Sequence, residues 1–368
     1  NTTQELLQAG QSVWYDNIQR ALLSNGELAG MIERGEIYGV TSNPTIFMNA
    51  ITKSADYDQS LRPLLSAGLS NEEVFFALAI EDIRAAADLF YPLYQKTGGG
   101  DGYVSLEVSP FLANDTAATL AQAKDLWKRV DRPNLMIKIP ATKPGLPAIT
   151  DAIAAGINVN VTLIFSRQRY MEVMDAYLAG LEKRAAAGQP VGTVASVASF
   201  FVSRVDTNVD GRLNRLIEEG GARAQKAQSL LGKAAIANAR LAYADFKKVF
   251  ASERFLKLKA NGARVQRPLW ASTSTKNPAY RDVMYVEELI GRDTVNTIPP
   301  QTLAAFLDHG RVRPDSLEED LDGAGRVLAD LESLQISLDE VTAQLEEEGV
   351  ESFSDAFRVL LKAVESRR

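Results

Sequence analysis

Lys138 sits in Leu135-Met136-Ile137-Lys138-Ile139-Pro140, a short aliphatic run of the kind that forms a buried strand. A lysine in such a run must lose its charge, find a carboxylate, or lie at an edge where its stem reaches water. Burial lowers an amine pKa from about 10.4 toward neutrality and yields a free amine able to attack a carbonyl. Asp16 and Glu107 each end a separate strand pattern, with a parity that turns both toward the same interior. One amine and two acids are the minimum set for Schiff-base chemistry. One acid deprotonates the hydroxyl that drives carbon–carbon cleavage, and the other moves protons during carbinolamine dehydration. The alternative is a buried ion-pair cluster, which is costly to maintain.

Around this trio stand groups suited to sugar hydroxyls: Asn43, Asn160 and Ser199, with Thr41 and Thr162. Arg204 follows the sixth strand pattern, and Ser272 and Lys276 follow the seventh, where they could clamp a phosphate. An isolated arginine or lysine would read as surface, so this assignment rests on the rest of the site. Other chemistries lack their residues. The chain has no cysteine, which removes disulfides, thiol nucleophiles and Cys-ligated metals. Its one histidine, His309, lies in Phe306-Leu307-Asp308-His309-Gly310, a pattern that marks a helix end closed by glycine. A single histidine cannot build a multi-histidine metal site.

A net charge of −7 argues against a nucleic-acid partner, and no run is long and apolar enough for a membrane span. Without a basic-then-apolar start at the N-terminus, the expectation is a cytoplasmic protein acting on small molecules. Gly98-Gly99-Gly100-Asp101-Gly102 resembles a phosphate loop only superficially; it leads into a strand and reads as a flexible connection. Trp14, Trp127 and Trp270 read as packing.

The elements that must position these residues follow from periodicity. Strands are expected near Ser12–Asp16, Tyr38–Asn43, Tyr103–Ser109, Leu135–Pro140, Ile157–Phe165, Val194–Phe201, Pro268–Ser272 and Val295–Ile298. Helices are expected over Asn71–Tyr91, Asp115–Val130, Leu146–Ala155, Ser166–Ala187, one or two from Thr207 to Phe250, and Ala279–Ile290. The eight repeats predict an α/β fold, a single (β/α)8 barrel domain over residues 1–368. By parity, Ser105 and Glu107, Lys138, and Asn158, Asn160 and Thr162 fall on inward faces opposite aliphatic ones. From about residue 315 to 368 comes an acidic helical extension. Its last segment aligns Phe353, Phe357, Leu360, Leu361 and Val364 for docking on the body, with Ser352 or Ser354 as a cap.

Ordered motifs now align with a known family. Gly39-Val40-Thr41-Ser42-Asn43-Pro44-Thr45-Ile46-Phe47 and Leu135-Met136-Ile137-Lys138-Ile139-Pro140-Ala141-Thr142 resemble the two transaldolase signatures. The likeness extends through the other strand motifs to Val295-Asn296-Thr297-Ile298-Pro299-Pro300, and is greatest for the longer-chain bacterial subgroup. The resemblance implies that Lys138 forms the Schiff base and Asp16 takes the proton from the C4 hydroxyl. It implies that Glu107 shuttles protons through a water held with Thr162. Asn43, Asn160 and Ser199 would orient the dihydroxyacetone part, and Arg204 and Ser272 would bind phosphate. The implied reaction converts sedoheptulose 7-phosphate and glyceraldehyde 3-phosphate to erythrose 4-phosphate and fructose 6-phosphate, with neither a metal nor an organic cofactor. Shorter members carry an arginine soon after the serine; here Lys276 follows Ser272 at wider spacing, a point charge in place of a bidentate fork.

A fructose-6-phosphate aldolase of the same fold is the nearest rival. That relative typically has a glutamine where this chain has Glu107 and a tyrosine where it has Phe201. Phe201 cannot protonate a retained carbanion, which favours waiting for an aldehyde acceptor. A non-catalytic sugar-phosphate-binding barrel is the other alternative, and it would have no need of Lys138 with both acids.

Overall fold

The structure, a computed structural model, describes residues 1–368. Eight parallel strands close into a barrel in sequence order: β1 (Gln11–Asp16), β2 (Val40–Thr41), β3 (Val104–Glu107), β4 (Leu135–Pro140), β5 (Val159–Ile164), β6 (Ser196–Phe201), β7 (Gln266–Ala271) and β8 (Thr294–Ile298). β1 pairs with β2 on one side and β8 on the other, which leaves no open edge. Glu107 is in register with Lys138, and Lys138 with Asn160, so three inward polar groups share one level. A register shift between Val161 and Ile164, with Leu163 at φ +60°, bends β5 at its mouth end.

Helices form the outer ring. That over Asn71–Lys96 starts with a capping box: Ser70 Oγ accepts from the Glu73 N–H, and a Glu73 carboxylate oxygen accepts from the Ser70 N–H. It passes Pro92, where the sequence suggested a stop. Just beyond it Tyr94 packs edge-on against Tyr103. The stretch expected as one or two helices from Thr207 to Phe250 is Ser203–Glu219, Ala222–Leu230 and Ala234–Phe250. Its breaks fall at Gly220, Gly221 and Gly232, all with positive φ. The helix expected over Ala279–Ile290 shrinks to Met284–Glu287. The chain before it is tied down by side-chain hydrogen bonds instead.

The C-terminal extension packs on the barrel, with Phe353, Phe357, Leu360 and Val364 buried and Leu361 partly so. Its last helix runs unbroken over Leu338–Glu365, so Ser352 and Ser354 lie inside it. The cap is Ser337, whose side chain accepts from the Glu340 N–H. Gly349 lies inside this helix, where its backbone passes Leu163 and Arg204. A Cβ there would lie 3.0 Å from Leu163 and 3.5 Å from the Arg204 guanidinium. Ser354 is buried within the docked face.

The glycine-rich connection before β3 is pinned rather than loose. Arg264 donates to the Gly98 carbonyl, Tyr103 to that of Gly99, and Asp101 is drawn under the barrel. Trp14 and Trp270 are fully buried, as packing residues should be, and Trp127 is partly buried. Gly39 is required by Trp14, since an added Cβ would fall within 2.8 Å of the indole. His309 ends the helix Pro300–His309, exposed and paired with Asp282 and Asp308.

Candidate active site at the barrel mouth

The mouth is built from residues at the C-terminal ends of the strands, where barrel enzymes place their chemistry. Lys138, mid-β4, is 5% exposed, and its Nζ donates to the Ser42 carbonyl at 3.1 Å. That carbonyl is available because β2 is only two residues long and yields at once to the helix Pro44–Thr52. Asn43 caps this helix through its side-chain oxygen, 2.9 Å from the Ile46 N–H. Its amide group remains free to donate.

Glu107 closes β3 and is equally buried. Neither carboxylate oxygen has a hydrogen-bond partner in the protein, and neither does the hydroxyl of buried Thr162 on β5. Burial pushes the Glu107 carboxyl up to about 7; the Lys138 charge opposes this shift and Asp16 adds to it. Asp16 is half-buried at the end of β1, and its pKa is also raised by burial, with Lys138, a Thr41 hydrogen bond and Lys276 pulling it back. Thr41 Oγ1 donates to Asp16 at 2.8 Å. The single Thr41 hydroxyl proton is thereby committed, so in the close contact between the two threonines it is Thr297 that donates to Thr41.

Opposite these acids runs a second chain of bonds. Ser199 Oγ donates to Asn160 Oδ1 at 2.7 Å, and Asn160 Nδ2 donates to Ser105 Oγ at 3.1 Å. Because Ser105 is on β3 and Asn160 on β5, this bond crosses the barrel interior past Lys138.

Arg204 stands in the first turn of the helix Ser203–Glu219, partly buried over the Phe201 ring with its guanidinium carbon 5.2 Å from the centroid. Burial lowers its pKa, and Glu348 on the C-terminal helix partly offsets this. Ser272, at φ +56°, meets Ser203 with 2.7 Å between hydroxyl oxygens. Lys276 is exposed at the rim and donates to Ser274. The surrounding protein and the Arg204 charge lower its pKa. Neither Arg204 nor Lys276 has a carboxylate within 4.0 Å.

All twelve residues singled out from the sequence therefore lie at this end of the barrel or on its rim. Three groups beside them carried no sequence assignment. Thr297 could have been found by extending strand parity to β8. Ser105 was visible as inward but had no assigned task. The Ser42 carbonyl has no side-chain signature at all.

Comparison with known proteins agrees with this geometry. Residues 13–364 match the family described as Transaldolase/Fructose-6-phosphate aldolase. The chain is 52% identical over 359 residues to a Transaldolase of Saccharopolyspora erythraea, covering 98% of this chain and 95% of that one. It is 52% identical over 361 residues to Transaldolase 1 of Streptomyces coelicolor, covering 98% and 93%. It is 48% identical over 359 residues to a Transaldolase of Mycolicibacterium smegmatis, covering 98% and 95%. The chain belongs to the transaldolase/fructose-6-phosphate aldolase family.

Proposed function

We propose that this enzyme is a transaldolase in which Lys138 carries a dihydroxyacetone unit as a Schiff base from sedoheptulose 7-phosphate to glyceraldehyde 3-phosphate. The observation that carries this reading is the buried Lys138 set level with Glu107, a carboxyl without a protein partner. In its free-amine form Nζ attacks the ketose C2, and the carbonyl oxygen takes up a proton to give the carbinolamine. Glu107, held near 7, can give a proton to the departing hydroxyl and recover one when the imine is hydrolysed. One water bonded to both Glu107 and Thr162 would satisfy two unpartnered groups and relay that proton.

Asp16 then removes the proton of the C4 hydroxyl. The C3–C4 electrons move into the iminium to form an enamine, and erythrose 4-phosphate leaves. The Thr297–Thr41 relay holds Asp16 for this step. The enamine carbon next attacks the acceptor aldehyde, Asp16 returns its proton to the new alkoxide, and water releases fructose 6-phosphate. Asn43, Asn160 and Ser199 orient the hydroxyls of the three-carbon unit. Arg204, Ser272 and Lys276 hold the phosphate. Phe201 offers no hydroxyl to protonate the enamine, which favours retention until an acceptor arrives. The substrates are soluble sugar phosphates and the reading places the enzyme in the cytoplasm.

The test is borohydride trapping with fructose 6-phosphate, followed by peptide mass mapping. A reduced three-carbon adduct on Lys138 is the expected result, and an adduct elsewhere or none would sink the Schiff-base reading. Free dihydroxyacetone accumulating without an aldehyde acceptor would instead assign aldolase chemistry.

A further inference from the structure

The segment from Ser272 to Val283, between β7 and the short helix Met284–Glu287, has no regular secondary structure, yet it carries Ser272 and Lys276. Backbone bonds within a helix or sheet do not fix its shape. Its near end is fastened to the barrel: Ser203 N–H donates to the Ser272 carbonyl at 2.9 Å, and Thr273 Oγ1 donates to Asn296 at 2.8 Å. Its far end is fastened by tyrosines. Tyr280 Oη donates to Asp210 at 2.5 Å, and Tyr285 Oη donates to Asp206. The Tyr280 ring also lies over Gly232, where an added Cβ would come within 2.9 Å of Cζ.

Both aspartates belong to the helix Ser203–Glu219, whose first turn presents Arg204. One rigid helix therefore carries one cation of the mouth and anchors the loop that carries the other. Asp206 and Asp210 are buried and have no cationic partner; besides the tyrosines they accept only backbone N–H groups, from Ala235 at 2.8 Å and Gly232 at 3.0 Å. Two buried acids committed to hydrogen bonding are an expensive arrangement unless they hold something in place. What they hold is a loop whose lysine meets a like charge on Arg204 that the more weakly acting Asp16 carboxylate only partly offsets. Without an anion between them the two cations repel, so an unanchored loop would swing Lys276 toward solvent.

We propose that the Tyr280–Asp210 hydrogen bond, backed by Tyr285–Asp206, is a clamp that positions Lys276 opposite Arg204 and thereby sets the preference for phosphorylated over unphosphorylated substrates. This rests on the reading of Arg204, Ser272 and Lys276 as the phosphate site. Tyr280 is a positioning residue and touches no substrate atom.

The test uses the full-length enzyme with saturating sedoheptulose 7-phosphate as donor and either glyceraldehyde 3-phosphate or glyceraldehyde as acceptor, read as release of erythrose 4-phosphate. Tyr280→Phe keeps the ring on Gly232 and removes only the hydroxyl. It should raise KM for glyceraldehyde 3-phosphate about tenfold, the scale of one hydrogen bond to a charged group. Its kcat and its kcat/KM for glyceraldehyde should stay close to the parent values. Asp210→Ala should reproduce the split. Lys276→Ala should also raise KM for the phosphorylated acceptor, and adding Tyr280→Phe to it should cause no further loss. Equal effects of Tyr280→Phe on both acceptors, or none on either, overturn the clamp while Lys276→Ala still upholds the phosphate site. An unchanged KM for glyceraldehyde 3-phosphate in Lys276→Ala overturns the phosphate role of Lys276, and the clamp falls with it.

Discussion

The floor and the mouth of the barrel each contain a buried acid flanking β3, and the two acids differ in almost everything but burial. Asp101 precedes the strand and Glu107 ends it, and each is 5% exposed. Asp101 accepts from Ser12 at 2.6 Å, Trp14 Nε1 at 2.8 Å and its neighbour's N–H at 3.2 Å, with Arg267 4.0 Å away. Glu107 accepts from nothing in the protein. Burial raises the pKa of both. A buried acid surrounded by donors is fastening the fold; one left without donors carries a cost that folding alone does not explain. On this contrast Asp101 is a structural acid, and Glu107 has the setting that the proposed proton transfer beside Lys138 requires.

The largest effect should come from Lys138→Ala. Removing the proposed nucleophile leaves no covalent route, so transfer activity should fall by more than about 10⁴-fold while the barrel stays folded. Substantial turnover in a well-folded variant would detach the mouth from catalysis altogether. Circular dichroism and a coupled assay on the same preparation decide it.

Glu107→Gln sharpens the contrast because it should trade stability against rate. Turnover should fall by about 10²–10⁴-fold, the worth of a positioned proton donor. The stability change has the opposite sign. A carboxyl whose folded pKa lies near 7, above its ordinary 4.5, binds its proton more tightly in the folded chain. Its contribution is therefore intact below pH 4.5 and is lost as pH climbs toward 7, which amounts to about 3 kcal/mol at pH 8. Urea unfolding should show the glutamine variant more stable than the parent at pH 8 and level with it at pH 4. A variant less stable at both pH values would put Glu107 in the same class as Asp101.

Asp101→Ala is the mirror experiment. It leaves Ser12 and Trp14 donors and the Arg267 charge unanswered in the barrel floor, at a cost of about 3 kcal/mol. The kcat of the folded fraction should hardly change. A collapse in kcat with little loss of stability would erase the division between floor and mouth.

Much of this division was legible in the sequence, and the part that was not has physical causes. Alternation fixed the inward faces of β3, β4 and β5, because a strand has only two sides and the outer one must be apolar under the helices. That alone put Glu107, Lys138, Asn160 and Thr162 together. Asp101 stayed invisible because it lies outside any periodic element, in a glycine cluster that looked flexible. Only the fold shows Ser12 and Trp14 reaching it. The start of the last helix was misplaced because Ser352 and Ser354 look like caps beside its apolar stripe, whereas one unbroken helix from Leu338 buries Ser354 in its docked face. The tyrosines of the β7 loop were hidden in a predicted helix, since hydrogen bonds between distant side chains leave no period to detect.

The smallest and most discriminating effect concerns Ser199, a mouth residue that is satisfied in the manner of the floor. Its hydroxyl is bonded to Asn160, which is bonded to Ser105, so its removal breaks a buried chain. Ser199→Ala should cost about 1 kcal/mol of stability, because Asn160 Oδ1 loses its donor. If Asn160 is then free to turn away from the sugar, KM for the ketose donor should rise about fivefold with kcat nearly constant, the mark of uniform binding lost. A stability loss with KM untouched would make this chain a floor-type fastening that happens to stand at the mouth. A matching rise in KM would show that in the mouth even a satisfied polar pair is built for the substrate as well as for the fold.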